Sequence, residues 1–231
     1  MRLDKYISKS LGYSRKDVKR LLRSSLISVN DLIVKKADYK VSDNDIVKFQ
    51  GDEVYYEELV YIMLNKPAGY LSALRDNESP VVMELIDDLN PDLKIVGRLD
   101  KDTEGLLLIT SDTKLLHNLM HPKKHVRKCY EVAIENELTS DDIELLTNGS
   151  IVLDDKVIKP AELKMINPNL VELTISEGRY HQVKRMFQAV KNNVIHLKRT
   201  KMGNLALDSE LSLGEYRYLT DEEILMLKEN N

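Results

Sequence analysis

The sequence predicts an α+β protein in two parts: a small helix-first module with its linker over residues 1–58, then a larger domain over 59–231 built on a mixed, mainly antiparallel sheet flanked by helices. Three observations predict it. Two short amphipathic helical stretches open the chain and are followed by brief strand-like runs. An acidic, mixed-polarity stretch, Gln50–Glu58, reads as a solvated connector. Beyond it strand-like segments outnumber helical ones, and most connections are short enough for antiparallel pairing.

The first helix is expected from about Arg2 to Leu11, ended by Gly12, a residue suited to a helix C-terminus. Ser14 is placed to cap a second helix, Arg15 to Ser24. Its spacing sets Val18, Leu21, Leu22 and Ser25 on one face and Arg15, Lys19 and Arg23 on another. Leu26–Val29 and Leu32–Val34, joined at Asn30-Asp31, read as two strands about a tight turn, with a third over Asp45–Phe49. In the larger part, strands are expected at Tyr61–Leu64, Leu106–Ile109, Tyr130–Ile134, Ile151–Leu153, Ala161–Met165, Val171–Ile175 and Val194–Leu197. Helices are expected near Val81–Asp87, Lys114–Met120, Ser140–Thr147 and, after the break at Gly178, Tyr180–Val190.

The formal net charge of −4 is unpromising for a nucleic-acid binder, but the charge is segregated. Residues 1–24 carry eight Lys/Arg (Arg2, Lys5, Lys9, Arg15, Lys16, Lys19, Arg20, Arg23) against Asp4 and Asp17. Between Glu177 and Asp208 there is no acid, while Arg179, Lys184, Arg185, Lys191, Lys198, Arg199 and Lys201 are all basic. A third cluster runs from His121 to Lys128. Any one of them alone reads equally well as a solvated face; three together point to a polyanion partner, because phosphate contacts supply most sequence-independent affinity for nucleic acid. The first residues lack a signal-like apolar run, no segment has the length of a membrane span, and the single Cys129 has no partner for an internal disulfide, so a cytoplasmic protein without a membrane role is expected.

The densest candidate for chemistry is Gly97-Arg98-Leu99-Asp100-Lys101-Asp102-Thr103-Glu104-Gly105, a charged loop running into the apolar strand Leu106–Ile109. A buried strand is a rigid support, so a loop at its end holds side chains in fixed geometry. Three acids lie there, and the residues alone do not choose among Asp100, Asp102 and Glu104; a plain turn with Asp100 capping backbone amides fits the same pattern. No Gly-rich cofactor loop and no clustered Cys/His set occurs. His117, His121 and His125 recur at four-residue spacing, but Pro122 interrupts the helix that would align them, so neither cofactor nor metal is expected.

Two stretches carry a family likeness. Arg2-Leu3-Asp4-Lys5-Tyr6, Ser14-Arg15 and Ser28-Val29-Asn30 resemble the S4 RNA-binding module, in which two helices present basic residues to folded RNA. The loop reads G-R-L-D-x-x-T-x-G-L-L-L-x-T, which resembles the signature of the RsuA/RluA-type pseudouridine synthases. Met63–Tyr70, Lys128-Cys129-Tyr130 and Ile175–Phe187 resemble that family's other segments in the same order. An S4 module ahead of this catalytic domain is the layout of the RsuA branch, and lysine at position 184 in H-Q-V-K-R-M-F is similar to that branch rather than to the RluA type. The short length, the end at Asn231 without a basic extension, and the segments around Ile175–Phe187 and Gly214–Thr220 most resemble the branch's enzymes of small-subunit 16S rRNA, whose target is uridine 516; related members act on 23S rRNA.

The resemblance implies an isomerase that breaks the bond from ribose C1′ to uracil N1 and rejoins C1′ to C5, with no cofactor. By it, Asp100 is the catalytic carboxylate, as nucleophile or as promoter of a glycal; Lys184, with Arg98 as a second basic group, keeps that carboxylate charged; Tyr130 stacks on a flipped-out base. Arg179, His181, Arg185, Lys198 and Arg199 are expected to contact RNA, as are Arg2, Lys5, Arg15, Lys16, Lys19, Arg20 and Arg23 of the first module. The implied partner is ribosomal RNA or a small-subunit assembly intermediate, bound by a monomer. Two other readings share these residues: a non-catalytic S4-type assembly protein, and a nucleosidase that would release free uracil.

Overall fold

The computed structural model describes residues 1–42, 44–56, 59–88 and 90–229. Two compact units divide the chain: Met1–Val60 with Asp87–Leu93, and Tyr61–Ile86 with Lys94–Asn231. Asp87–Leu93 groups with the first unit, where Asp92 is ion-paired with Lys9.

The first unit begins with α1 (Leu3–Leu11) and α2 (Arg15–Arg23). Gly12 takes the left-handed conformation (φ 72°) that ends α1, and the Ser14 side chain accepts the amide N–H of Asp17 to start α2. Leu3 and Ile7, one helical turn apart, join Val18 and Leu22 in a core closed by β1 (Ile27–Val29) and β3 (Val47–Phe49). Burying each such aliphatic side chain stabilises the unit by roughly 1.5–3 kcal/mol. Strand β2 (Leu32–Ile33) pairs with β1 across Asn30 and Asp31, both at positive φ, as a two-residue hairpin turn requires. The expected connector is partly folded. Gln50 and Gly51 turn β3 back into β4 (Asp52–Glu53), and Val54 enters the core, so the sheet order is β2-β1-β3-β4. Glu57 and Glu58 lie outside the described residues.

The second unit is organised on one nine-stranded sheet. Its elements are β5 (Tyr61–Lys66), β6 (Lys94–Val96), β7 (Glu104–Thr110), α3 (Thr113–Met120), β8 (Lys128–Ile134), α4 (Ser140–Thr147), the small hairpin β9 (Val152–Leu153) and β10 (Lys156–Val157), β11 (Glu162–Asn167), β12 (Leu170–Ile175), α5 (Gln182–Ala189), β13 (Val194–Met202), β14 (Leu205–Ala206), β15 (Tyr216–Tyr218) and α6 (Asp221–Glu229). The order is β11-β12-β8-β13-β7-β5-β15, with β14 beside β13 and β6 beside β7. Every pairing is antiparallel except β13 with β7, so the sheet is mixed and mainly antiparallel. Strands β5 and β7 are buried on both faces, with Leu106 and Leu108 packed on Leu115 and Leu119 of α3. The expected helix at Val81–Asp87 is a single 3-10 turn, Val82–Leu85. Strands β6, β10, β14 and β15 and helix α6 add to the elements that the sequence pattern predicts.

Candidate active site

The loop Gly97–Thr103 runs into β7 and is held from three directions. The Ser72 hydroxyl accepts the Leu99 N–H at 3.0 Å and donates to the Leu99 carbonyl at 2.9 Å. The Thr103 N–H closes a turn on the Asp100 carbonyl, and the Gly69 N–H donates to the Lys101 carbonyl at 2.7 Å. Below them lies Lys66, the last residue of β5 and fully buried. Its ammonium donates to the carbonyls of Thr103 (2.8 Å), Pro67 (3.0 Å) and Lys101 (3.2 Å). Burial pushes its pKa down to about 8, a drop limited by the negative charges of Asp102, Glu104 and Asp100. Lysine is costly to bury unless its donors are matched, and here all three find acceptors.

Gly105 fixes how close the next strand can come. At φ +97° it favours glycine, and an added Cβ would stand 2.3 Å from the Arg199 carbonyl oxygen. The register draws a line across four strands, Tyr130 of β8, Arg199 of β13, Gly105 of β7 and Lys66 of β5, so these residues share one face of the sheet. Tyr130 is two strand spacings, about 10 Å, from Gly105 along that line. Tyr130 is 7% exposed, so its ring lies in a recess rather than on an open face.

Helix α5 faces this loop. His181 precedes it in the left-handed conformation (φ 48°), rare for a residue with a side chain, and Lys184 follows one turn on. Both reach Asp100: His181 Nε2 lies 3.5 Å from Oδ1 and Lys184 Nζ 3.4 Å from Oδ2. The three acids of the loop now separate. Glu104 meets His196 Nε2 at 2.9 Å. Asp102, 71% exposed, accepts a 2.5 Å hydrogen bond from Lys184 that holds its pKa below the ordinary carboxylate range. Asp100, 26% exposed, is the carboxylate set between an imidazole and an ammonium. Lys184 therefore bridges two acids instead of serving Asp100 alone.

Other expected site residues are placed differently from one another. Arg98 and Lys198 have no polar partner among the described residues, and Arg98 is exposed. Arg199 corrects the expectation of a surface phosphate contact: it is 1% exposed, its Nε donates to the Leu106 carbonyl at 2.8 Å, and its Nη2 has no partner among the described residues. Arg179 is committed to the β9–β10 hairpin, donating to the carbonyls of Leu153, Lys156 and Val157 at 2.6–2.8 Å. Arg185 forms a two-point pair with Asp154 at 2.9 and 3.0 Å. These two guanidiniums hold the hairpin to the start of α5 because buried or clustered carbonyls need donors.

In the first unit the basic residues also divide. Asp4 is buried, and Arg2 and Arg15 both bind its carboxylate at 3.0–3.2 Å. Burial pushes the Asp4 pKa up, but the two arginines outweigh it and hold it below its ordinary value. Arg20 is paired with Asp17. Lys5, Lys16, Lys19 and Arg23 are exposed and have no salt-bridge partner among the described residues, which leaves their charge available.

From the sequence alone Lys66 belongs only to the family-like segment Met63–Tyr70 and Ser72 has no role, although a lysine just past the apolar run Tyr61-Ile62-Met63-Leu64 signals a buried cation with a fixed task. His181, expected to contact RNA, also lies against Asp100.

A family model described as RNA pseudouridylate synthase matches residues 60–189, and an S4 domain model matches residues 1–47. The chain belongs to the RNA pseudouridylate synthase family. It is 43% identical over 231 residues to a protein of Aquifex aeolicus named an uncharacterized RNA pseudouridine synthase, covering 99% of this chain and 96% of that one. It is 42% identical to the ribosomal small subunit pseudouridine synthase A of Escherichia coli K12, covering 97% of this chain and 98% of the relative. A crystal structure of a pseudouridylate synthase superimposes with a TM-score of 0.70 at 38% identity, covering 98% of this chain and 99% of the other. As a member of this family the chain is an RNA-modifying isomerase with an S4 domain.

Proposed function

We propose that this synthase isomerises a uridine of small-subunit ribosomal RNA, uridine 516 of 16S rRNA, with Asp100 as its catalytic carboxylate. The observation that carries the reading is the pair of basic groups around Asp100: of the three loop acids, it has both His181 and Lys184 within 3.5 Å. The names of the near full-length relatives in Escherichia coli and Yersinia pestis, ribosomal small subunit pseudouridine synthase A, support the substrate.

In this reading the target nucleotide leaves its stack, at a cost of a few kcal/mol, and enters the recess above the row from Tyr130 to Lys66. Tyr130 meets the base, and aromatic contact returns roughly 1–3 kcal/mol. Asp100, ion-paired with Lys184, assists departure of the uracil from C1′, either by attack on C1′ or by removing a proton to give a glycal. The detached base turns and joins C1′ through C5, which frees Asp100 from C1′ or returns the proton it removed; C5 then gives up its proton and N1 takes one, so atoms balance without any added group. Lys66, Ser72 and Gly69 hold the loop backbone, which keeps the carboxylate within its reacting range. Residues 1–58 act as the S4 RNA-binding domain and linker, with Lys5, Lys16, Lys19 and Arg23 toward phosphates, and residues 59–231 act as the catalytic domain. The enzyme works as a cytoplasmic monomer.

Pseudouridine mapping of total rRNA from cells with and without this protein tests the reading. One small-subunit uridine is expected to lose its modification, with RNA mass unchanged by the reaction. A lost signal in 23S rRNA alone would overturn the substrate, and release of free uracil would overturn isomerisation.

A further inference from the structure

Tyr180 has no task in the mechanism above, and its surroundings are unusually fixed for an exposed side chain. Tyr180 is 73% exposed, yet its ring stacks on the His181 ring with centroids 3.8 Å apart and planes at 18°. His181 in turn touches Asp100. The backbone here is held on both sides. The Arg179 guanidinium is spent on three carbonyls of the β9–β10 hairpin, and Arg185, paired with Asp154, also donates to the Tyr180 carbonyl at 3.3 Å. His181 is kept in the left-handed region, a conformation that persists only where neighbours determine it.

An aromatic ring with one face covered by an imidazole and the other open to solvent is a stacking surface whose ordering cost is already met by the fold. We propose that Tyr180 is a positioning residue of this enzyme: its open face stacks on an RNA base next to the target uridine and so sets the target over Asp100. This rests on the RNA-isomerising function argued above. A neighbouring base fits better than the target itself, because the target's C1′ has to meet Asp100, whereas the Tyr180 ring is displaced from Asp100 by the intervening imidazole. A nucleobase fits better than an aliphatic partner because the bases of the substrate each present a π face, and stacking of this kind tolerates any of the four. The region from Gly178 to Leu207 contains no acid, which suits the adjoining phosphates.

The test uses the full chain and an RNA fragment that holds the mapped uridine, with 2-aminopurine placed at one and then the other neighbouring nucleotide. Wild type and Tyr180→Phe are expected to quench one of the two probes on binding. Tyr180→Ala is expected to lose that quench and to raise KM by roughly 5- to 150-fold, with the loss falling on KM more than on kcat. Equal quench and equal KM in Tyr180→Ala would overturn the platform. A fall in kcat with KM and quench unchanged would also overturn it, leaving Tyr180 as a support for His181 alone. Failure of wild type to form pseudouridine in any rRNA would instead defeat the functional reading on which the platform rests.

Discussion

Replacing Lys66 by Met keeps the length and volume of the side chain and removes its charge and three donors, which isolates its role beneath the loop. The Lys101 carbonyl keeps the Gly69 N–H, but the carbonyls of Pro67 and Thr103 lose the lysine donor. At about 1–3 kcal/mol for each acceptor left without a partner, the loss is about 2–6 kcal/mol. Against this, Met does not carry the cost of burying a charge. The fall in pKa from 10.5 to about 8 corresponds to about 3 kcal/mol, so the net change in stability at pH 7 is within roughly 3 kcal/mol. Activity should suffer more: a carboxylate displaced by about 1 Å loses on the order of 100-fold in turnover.

The pH dependence gives an independent signature of the same residue. Between about pH 8 and 10.5 the unfolded chain holds a proton on Lys66 that the folded chain has released, so stability from this group rises with pH across that window. Urea unfolding at pH 7, 8, 9 and 10, with single-turnover rates at pH 7, measures both effects. The free-energy gap between wild type and Lys66→Met is expected to widen in favour of wild type as pH rises. A gap independent of pH, or a variant with wild-type turnover, would refute the assignment of Lys66 as the buried support of the loop.

Other predictions rest on separate contacts. Lys184→Met removes the ammonium shared by Asp100 and Asp102 and should lower single-turnover rates by about 100- to 1,000-fold. Because Lys184 depresses the Asp102 pKa, the variant should also lose part of the wild type's fall in stability as pH drops through the Asp102 value, read by acid titration of unfolding. Gly105→Ala drives a Cβ into the Arg199 carbonyl at a backbone angle unsuited to alanine, and thermal melts should show a loss of about 3 kcal/mol or more. Replacing Lys5, Lys16, Lys19 and Arg23 together by Ala should weaken RNA binding and flatten the slope of log K against log salt by up to about 4, with little change in melting temperature because all four are exposed.

Much of this architecture was legible where local chemistry and tertiary packing agree. Ser14, Gly12 and Pro122 mark helix boundaries through caps and a missing N–H, and the apolar run Leu106–Ile109 lies in a strand buried on both faces. Less legible were elements that depend on partners distant in sequence. Strand β4 consists of two exposed acids paired to β3, and β15 lies at the sheet edge, so neither shows a hydrophobic period. Helix α6 did carry a signal: Thr220 and Glu223 form reciprocal cap hydrogen bonds, and three acids fill its first turn. At the site, residue types pointed to the loop but could not rank its acids, because their difference comes from His181 and Lys184 at α5 and from His196 of β13, some eighty to ninety residues later. Partners elsewhere in the chain also hid the burial of Arg199, held at Leu106, and the intramolecular use of Arg179 and Arg185 on the β9–β10 hairpin.

Pseudouridine formation by Asp100→Asn on unmodified small-subunit rRNA, read by site mapping beside RNA-binding affinity, tests the catalytic carboxylate most directly. No pseudouridine at the uridine that wild type modifies, with binding retained within a few-fold, is the expected result. Turnover by Asp100→Asn comparable to wild type would contradict the assignment and return the choice to Asp102 or Glu104.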